Sequence, residues 1–134
     1  MDLQLSLKTK WFEMTKAGIK TEDYREVNPY WAVRLFNKKD TDMSVHFWKG
    51  FLMKSEDNKI VYKFRSQAQI ENIIEAFGFK PFESNIMTLG YPKSTDTERI
   101  LKLEHKGIEI RTGNPEWGAE PNKLYFVIKH GKTQ

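Results

Sequence analysis

Leu3, Leu5 and Leu7 alternate with polar residues, the period of a half-buried strand. Trp11, Met14 and Ala17 then recur at helical spacing with Phe12 beside them, and Gly18 stands where a helix-ending glycine stands. Thr21 to Glu26 continues as a strand that carries Asp23 and Arg25 on one face. Lys20 precedes the regular alternation, so parity does not fix its direction. Asn28 and Pro29 read as the N-cap and first residue of a short helix with Trp31, Arg34 and Leu35. Val45 and Phe47 alternate with His46 and Trp48, which predicts a strand that Gly50 interrupts. Glu56-Asp57-Asn58 is a turn signal, and Ile60, Tyr62 and Phe64 form the inward side of the strand after it.

The plainest helix follows. Ser66-x-x-Gln69 has the form of a capping box, Ile70, Ile73, Ile74 and Phe77 fall at i, i+3, i+4 and i+7, and Gly78 ends the pattern. Strands are expected at 86–89, 99–104, 107–111 and 123–129, with Gly107 and Gly113 as turn residues. There is no internal repeat, low-complexity stretch or linker. The pattern therefore predicts one α+β domain over residues 1–134 with two or three helices. It does not choose between a small barrel and a flat sheet packed on helices.

Composition narrows the chemistry. With 134 residues the chain can bury a real core without staples. It has no cysteine, which excludes disulfides, thiolate-ligated zinc and a cysteine nucleophile. No apolar run approaches the ~20 residues of a membrane span, and Met1-Asp2-Leu3-Gln4 lacks a signal-peptide layout, so a cytoplasmic protein is expected. Lys and Arg number 22 against 18 Asp and Glu, a balance of +4 that permits a polyanionic partner without demanding one. Aromatic residues make up 13%, enough to fill a small core and leave a few rings for stacking on bases.

The candidate site is Gly18-Ile19-Lys20-Thr21-Glu22-Asp23-Tyr24-Arg25. Its charges read either as a solvated ion-pair row or as a pocket. In a pocket, Arg25 would fork onto a phosphate or carbonyl. Asp23 would orient that arginine or accept from a base amino group. Lys20 would supply a point charge, or a base once desolvated. Trp117 reads as barrel-end core or as a stacking platform beside the cleft, with Glu116 and Glu120 flanking it. Lys38, Lys39, Arg65, Lys129 and Lys132 are spread along the chain as a solvated surface, some of them available to track a backbone. His46, His105 and His130 lack metal-ligand spacing, and neither a phosphate loop nor a Gly-x-Ser-x-Gly elbow is present. No metal or cofactor is expected.

Gly18-x-Lys20-x-x-Asp23-x-Arg25 resembles the G-x-K-x-x-E-x-R signature of the ASCH domain, a small β-barrel family related to PUA domains, with Asp23 in the place of the usual Glu. Asn28-Pro29-Tyr30-Trp31 with Arg34-Leu35, the pair Gly90-Tyr91, and Gly113-Asn114-Pro115-Glu116-Trp117-Gly118-Ala119-Glu120 followed by Tyr125-Phe126-Val127-Ile128 are similar to later segments of bacterial and phage ASCH proteins. Residues 37–85 are the least covered. The resemblance implies a PUA-like barrel and an RNA or single-stranded nucleic-acid partner held by Lys20, Asp23, Arg25, Arg34 and Trp117. It implies no obligate protein partner. The competing reading is an enzyme, an amidohydrolase on a modified nucleoside or a ribonuclease, that uses Lys20 with Asp23 or Glu116. ASCH-related amidohydrolases that deacetylate acetylated cytidine carry a threonine nucleophile where this chain has Asp23. That departure predicts no appreciable hydrolysis of acetylated cytidine. A third reading is an interaction domain of a phage or mobile element without a ligand.

Overall fold

The computed structural model describes residues 1–37 and 45–134. Strand β1 (Asp2–Leu7) leads into helix α1 (Thr9–Lys16), strand β2 (Glu22–Glu26) and helix α2 (Pro29–Leu35). Helix α3 (Val45–Leu52), the hairpin β3 (Met53–Glu56) and β4 (Lys59–Tyr62), and helix α4 (Gln67–Phe77) follow. Strands β5 (Ser84–Leu89), β6 (Ile100–Thr112) and β7 (Leu124–Thr133) complete the chain, with short 3-10 turns at Thr97–Arg99 and Pro115–Trp117. The architecture is α+β.

Five strands form one strongly curled, half-barrel sheet in the order β1-β5-β6-β7-β2; β1 pairs β5 in parallel and the other pairs are antiparallel. Directly paired residues share a face, so the register defines the concave side. Leu5 lies opposite Met87, Met87 opposite Leu101, Ile110 opposite Phe126, and Phe126 opposite Arg25. These apolar positions are buried together with Phe12 of α1, Ala32 and Leu35 of α2, Trp48 and Leu52 of α3, and Ile70 and Ile73 of α4. The helices therefore fill the concave side. Phe36 is at their centre, stacked on Trp48 and Phe79 with ring centroids 4.9 and 4.8 Å apart.

Local signals place most elements. The Asn28 side chain accepts from the Trp31 N–H at 2.9 Å, which caps α2. Ser66 Oγ accepts from the Gln69 N–H at 3.1 Å, but Gln69 Oε1 reaches the Arg65 N–H instead of the Ser66 N–H, so the capping box closes one residue early. The 66–77 stripe is core only in part: Ile70 and Ile73 are buried, Ile74 and Phe77 half-buried.

Other expectations fail. Residues 45–48 form the first turn of α3, not a strand. Helical geometry puts Trp48 and Leu52, four apart, on the buried side and stacks Phe47 on Phe51 at 5.8 Å. Gly50 interrupts nothing; a Cβ there would meet no atom within 4 Å. The Asp57-Asn58 turn is correct, both residues having positive φ as a two-residue hairpin loop requires. Ile60, however, is 67% exposed: among the described residues β3 and β4 pair only with each other. The strands expected at 99–104 and 107–111 are one strand, β6, bulged between Leu103 and Gly107; Gly107 lies inside it and makes no turn. The described residues hold four helices, not two or three. No helix among the described residues is long and apolar enough to cross a membrane.

Candidate nucleotide-binding site

The site begins at the end of α1. Gly18 adopts φ +77°, a conformation that costs a residue with a Cβ, and so reverses the chain. Its N–H bonds the Thr15 carbonyl at 3.1 Å, and the Ile19 and Lys20 N–H groups both reach the Met14 carbonyl, at 3.0 and 3.1 Å. The reversal turns Lys20 inward, where it is only 2% exposed. Parity alone could not place this side chain.

Lys20 Nζ donates to Asp23 Oδ1 at 3.2 Å and to the Glu22 backbone carbonyl. Asp23 Oδ2 accepts from Arg25 Nε at 2.6 Å. Both oxygens of one carboxylate are therefore held by cations. The group is no solvated charge row: the Lys20 and Asp23 side chains are almost fully buried. Burial pulls the Lys20 ammonium below the ordinary lysine value, and the adjacent Asp23 carboxylate opposes that pull.

Arg25 does more than pair with Asp23. Its Nη2 donates to the Ser6 carbonyl of β1 at 2.9 Å, and its guanidinium lies 4.9 Å from the Trp31 ring centroid. β1 and β2 are the two edges of the curled sheet, so Arg25 clasps the open seam. A charged, hydrogen-bonded side chain stands where a closed barrel would have a backbone ladder.

A loop from β6 to β7 roofs the seam, and two tyrosines hold it. Tyr24 Oη accepts from the Asn114 N–H at 2.9 Å and donates to Glu22 Oε1 at 2.7 Å. Burial, reinforced by Glu22, raises the Tyr24 phenol to about 12 and keeps it protonated. Tyr125 Oη accepts from the Glu120 N–H at 2.9 Å at the other end of the loop. Gly113 permits this approach, since a Cβ there would stand 2.6 Å from the Tyr24 ring and 2.7 Å from Ala119 Cβ.

Between seam and roof lies a cavity of about 290 Å³. Lys20, Asp23, Arg25 and Trp117 all line it, and Trp117 is half-buried at its wall. Two expected residues do not. Arg34 stands on the exposed side of α2 with its guanidinium 3.3 Å from the Tyr30 ring centroid, because position 34 of α2 faces away from the seam. Glu116 is exposed and outside the lining; Glu120 supplies a carboxylate at the rim instead. The sequence reading missed Lys8, Trp11 and Tyr24. Trp11 was hidden by its helical period, which reads as core, although Gly118 packs so close that a Cβ would lie 3.0 Å from its ring. Lys38 and Lys39 fall outside the described residues.

A second buried polar group adjoins the first on the concave face: the His130 backbone N–H donates to the Thr21 carbonyl at 2.9 Å, and the Asp23 and Lys20 charges act on its imidazole. Asn85 is fully buried, and its Nδ2 lies 2.7 Å from His130 Nδ1 and donates to the Lys129 carbonyl at 3.2 Å. Its Oδ1 is 2.7 Å from His105 Nδ1, so His105 donates there and His130 accepts. Burial holds His130 down at about 4 and lowers His105 as well. Among the described residues, no set of three or more His, Asp or Glu is placed to hold a metal ion.

Compared with known proteins, the chain matches no family model, no curated protein and no solved structure.

Proposed function

We propose that the protein is a binding module for single-stranded nucleic acid, RNA above all, that takes one nucleotide into the cavity at the seam. The observation that supports this most is the saturation of Asp23. With Lys20 on one oxygen and Arg25 on the other, the carboxylate is a fixed acceptor and not a free base or nucleophile. Such a group orients cations and can accept from a base amino group. The aromatic walls Trp11, Trp117 and Tyr24 suit a planar base, and Arg25 Nη1 with Lys8 at the rim suits a phosphate. This is the mode that the resemblance to ASCH domains implies.

An enzymatic reading keeps one point in its favour, a buried lysine of lowered pKa beside a carboxylate in a cavity. Against it, both Asp23 oxygens are already bound by cations, and the carboxylate beside Lys20 favours its ammonium form.

The test is a titration of tryptophan fluorescence with a mixed-sequence RNA tetranucleotide at low and moderate salt. Binding should weaken as salt rises, since each phosphate contact releases counterion. Lys8→Ala should weaken binding several-fold and lower the salt slope by about one contact. No binding at low salt overturns the proposal. Turnover of acetylated cytidine, abolished in Lys20→Ala, would replace it with the enzymatic one.

A further inference from the structure

Arg25 has two sides. One faces the cavity already described. The other faces a second concavity of about 270 Å³, lined among others by Leu5, Ser6, Tyr30, Trp31, Thr88 and Tyr91. The two cavities share Ser6 and Arg25, so the clasp across the seam is their common wall. The guanidinium uses Nε for Asp23 and Nη2 for Ser6; Nη1 carries no hydrogen bond among the described residues. The arginine thus presents a free pair of donors at the boundary between two adjoining hollows.

The second hollow has a distinctive rim. Tyr91 is 97% exposed, the most exposed large apolar side chain among the described residues. Its neighbours in the lining are already engaged: Tyr30 carries the Arg34 guanidinium, and Trp31 carries that of Arg25 and the edge of Tyr30. Tyr91 has no ring partner among the described residues. A free aromatic face beside a cationic nitrogen with free donors is the arrangement that reads successive nucleotides of a single strand: the ring stacks a base and Nη1 takes the phosphate between two bases.

We infer that the Tyr91 hollow is a second nucleotide subsite, which receives the base next to the one in the first cavity, with the linking phosphate on Arg25 Nη1. The inference rests on the proposed function and extends it from a single nucleotide to a polymer of at least two. It separates a strand-binding protein from one that takes free nucleosides.

The experiment compares two probes, the four nucleoside monophosphates and a mixed-sequence RNA tetranucleotide, on the unmodified protein and on Tyr91→Ala and Tyr91→Phe. Tyr91 is exposed, so both variants should fold, and coincident thermal melts check this. The tetranucleotide should bind more tightly than any monophosphate. Tyr91→Ala should lose about tenfold in tetranucleotide affinity, the scale of one base–aromatic stack, with monophosphate binding unchanged. Tyr91→Phe should retain the affinity, because the ring and not the hydroxyl does the stacking. Equal affinity for both probes, or a tetranucleotide affinity that ignores Tyr91→Ala, overturns the second subsite and leaves the first standing. Failure of every probe to bind overturns both.

Discussion

Two polar clusters share one concave sheet face, and they are buried by opposite means. At the seam, Lys20, Asp23 and Arg25 are charged, mutually paired and open onto a cavity. Next to it, Asn85, His105 and His130 are neutral, joined by amide–imidazole bonds, and Asn85 is sealed from solvent. Charges taken out of water need partners of opposite sign; neutral groups need only matched donors and acceptors. The charged cluster is thus the one that can offer a charged hydrogen-bond donor to a ligand, and the neutral one serves the fold. Burial of a polar group does not by itself mark a site, and neither does a hollow, since His130 lines one of about 260 Å³; what distinguishes the seam is a paired charge cluster among aromatic walls.

The contrast can be broken most severely at Asp23. Asp23→Ala leaves two cations facing each other in a dry setting and should cost about 3–5 kcal/mol of folding stability in urea denaturation. Asp23→Asn, which keeps an acceptor, should cost less. A loss under about 1 kcal/mol for Asp23→Ala would show that the seam is wetter than its burial implies.

In the neutral cluster the sensitive variable is pH. The folded pKa of His130, about 4, lies below its unfolded value near 6.5, so the unfolded chain binds the proton first. The contribution is complete above pH 6.5 and is lost as pH falls towards 4, at most about 1.4 kcal/mol per pH unit for this one group. His105 acts in the same direction. Stability measured at pH 7, 6 and 5 should fall along this limb, and His130→Gln should flatten it. An unchanged slope in the variant would mean that His130 is protonated in the fold.

The smallest expected effect sharpens the difference between frame and ligand contact. Trp117→Ala should weaken nucleotide binding by about 1–3 kcal/mol, the worth of a lost stack, and change stability by less. A stability loss larger than the binding loss would make Trp117 a core residue that caps the seam.

Much of this was legible in the sequence, for a local reason. β1 is fixed by its period of two, α1 by its period and the glycine that ends it, and α2 and α4 by side-chain caps, all within a dozen residues; so was the Gly18 reversal that brings Lys20, Asp23 and Arg25 together. α3 was misread because Val45 to Trp48 satisfies a period of two as well as one of 3.6 over so short a window, and Phe51 and Leu52 decide between them only when the window is extended. The rest depends on distant partners. Nothing near Arg25 announces the Ser6 carbonyl 19 residues away, and nothing near Asn85 announces His130, 45 residues on. Arg34 and Glu116 were assigned by a resemblance of segments, which cannot tell the face of a short helix or turn that looks at the seam from the one that looks away.

The arginine clasp also guards the molecule against itself. β1 and β2 each have one partner strand and therefore one row of backbone groups without a ladder. Such edges are templates on which another chain can grow as an added strand. A forked cation locked across the gap, with the Trp31 ring beneath it, fills the lane that a foreign strand would need and places a charge in its way. Removing that side chain would leave the gap between the two borders open to such a strand.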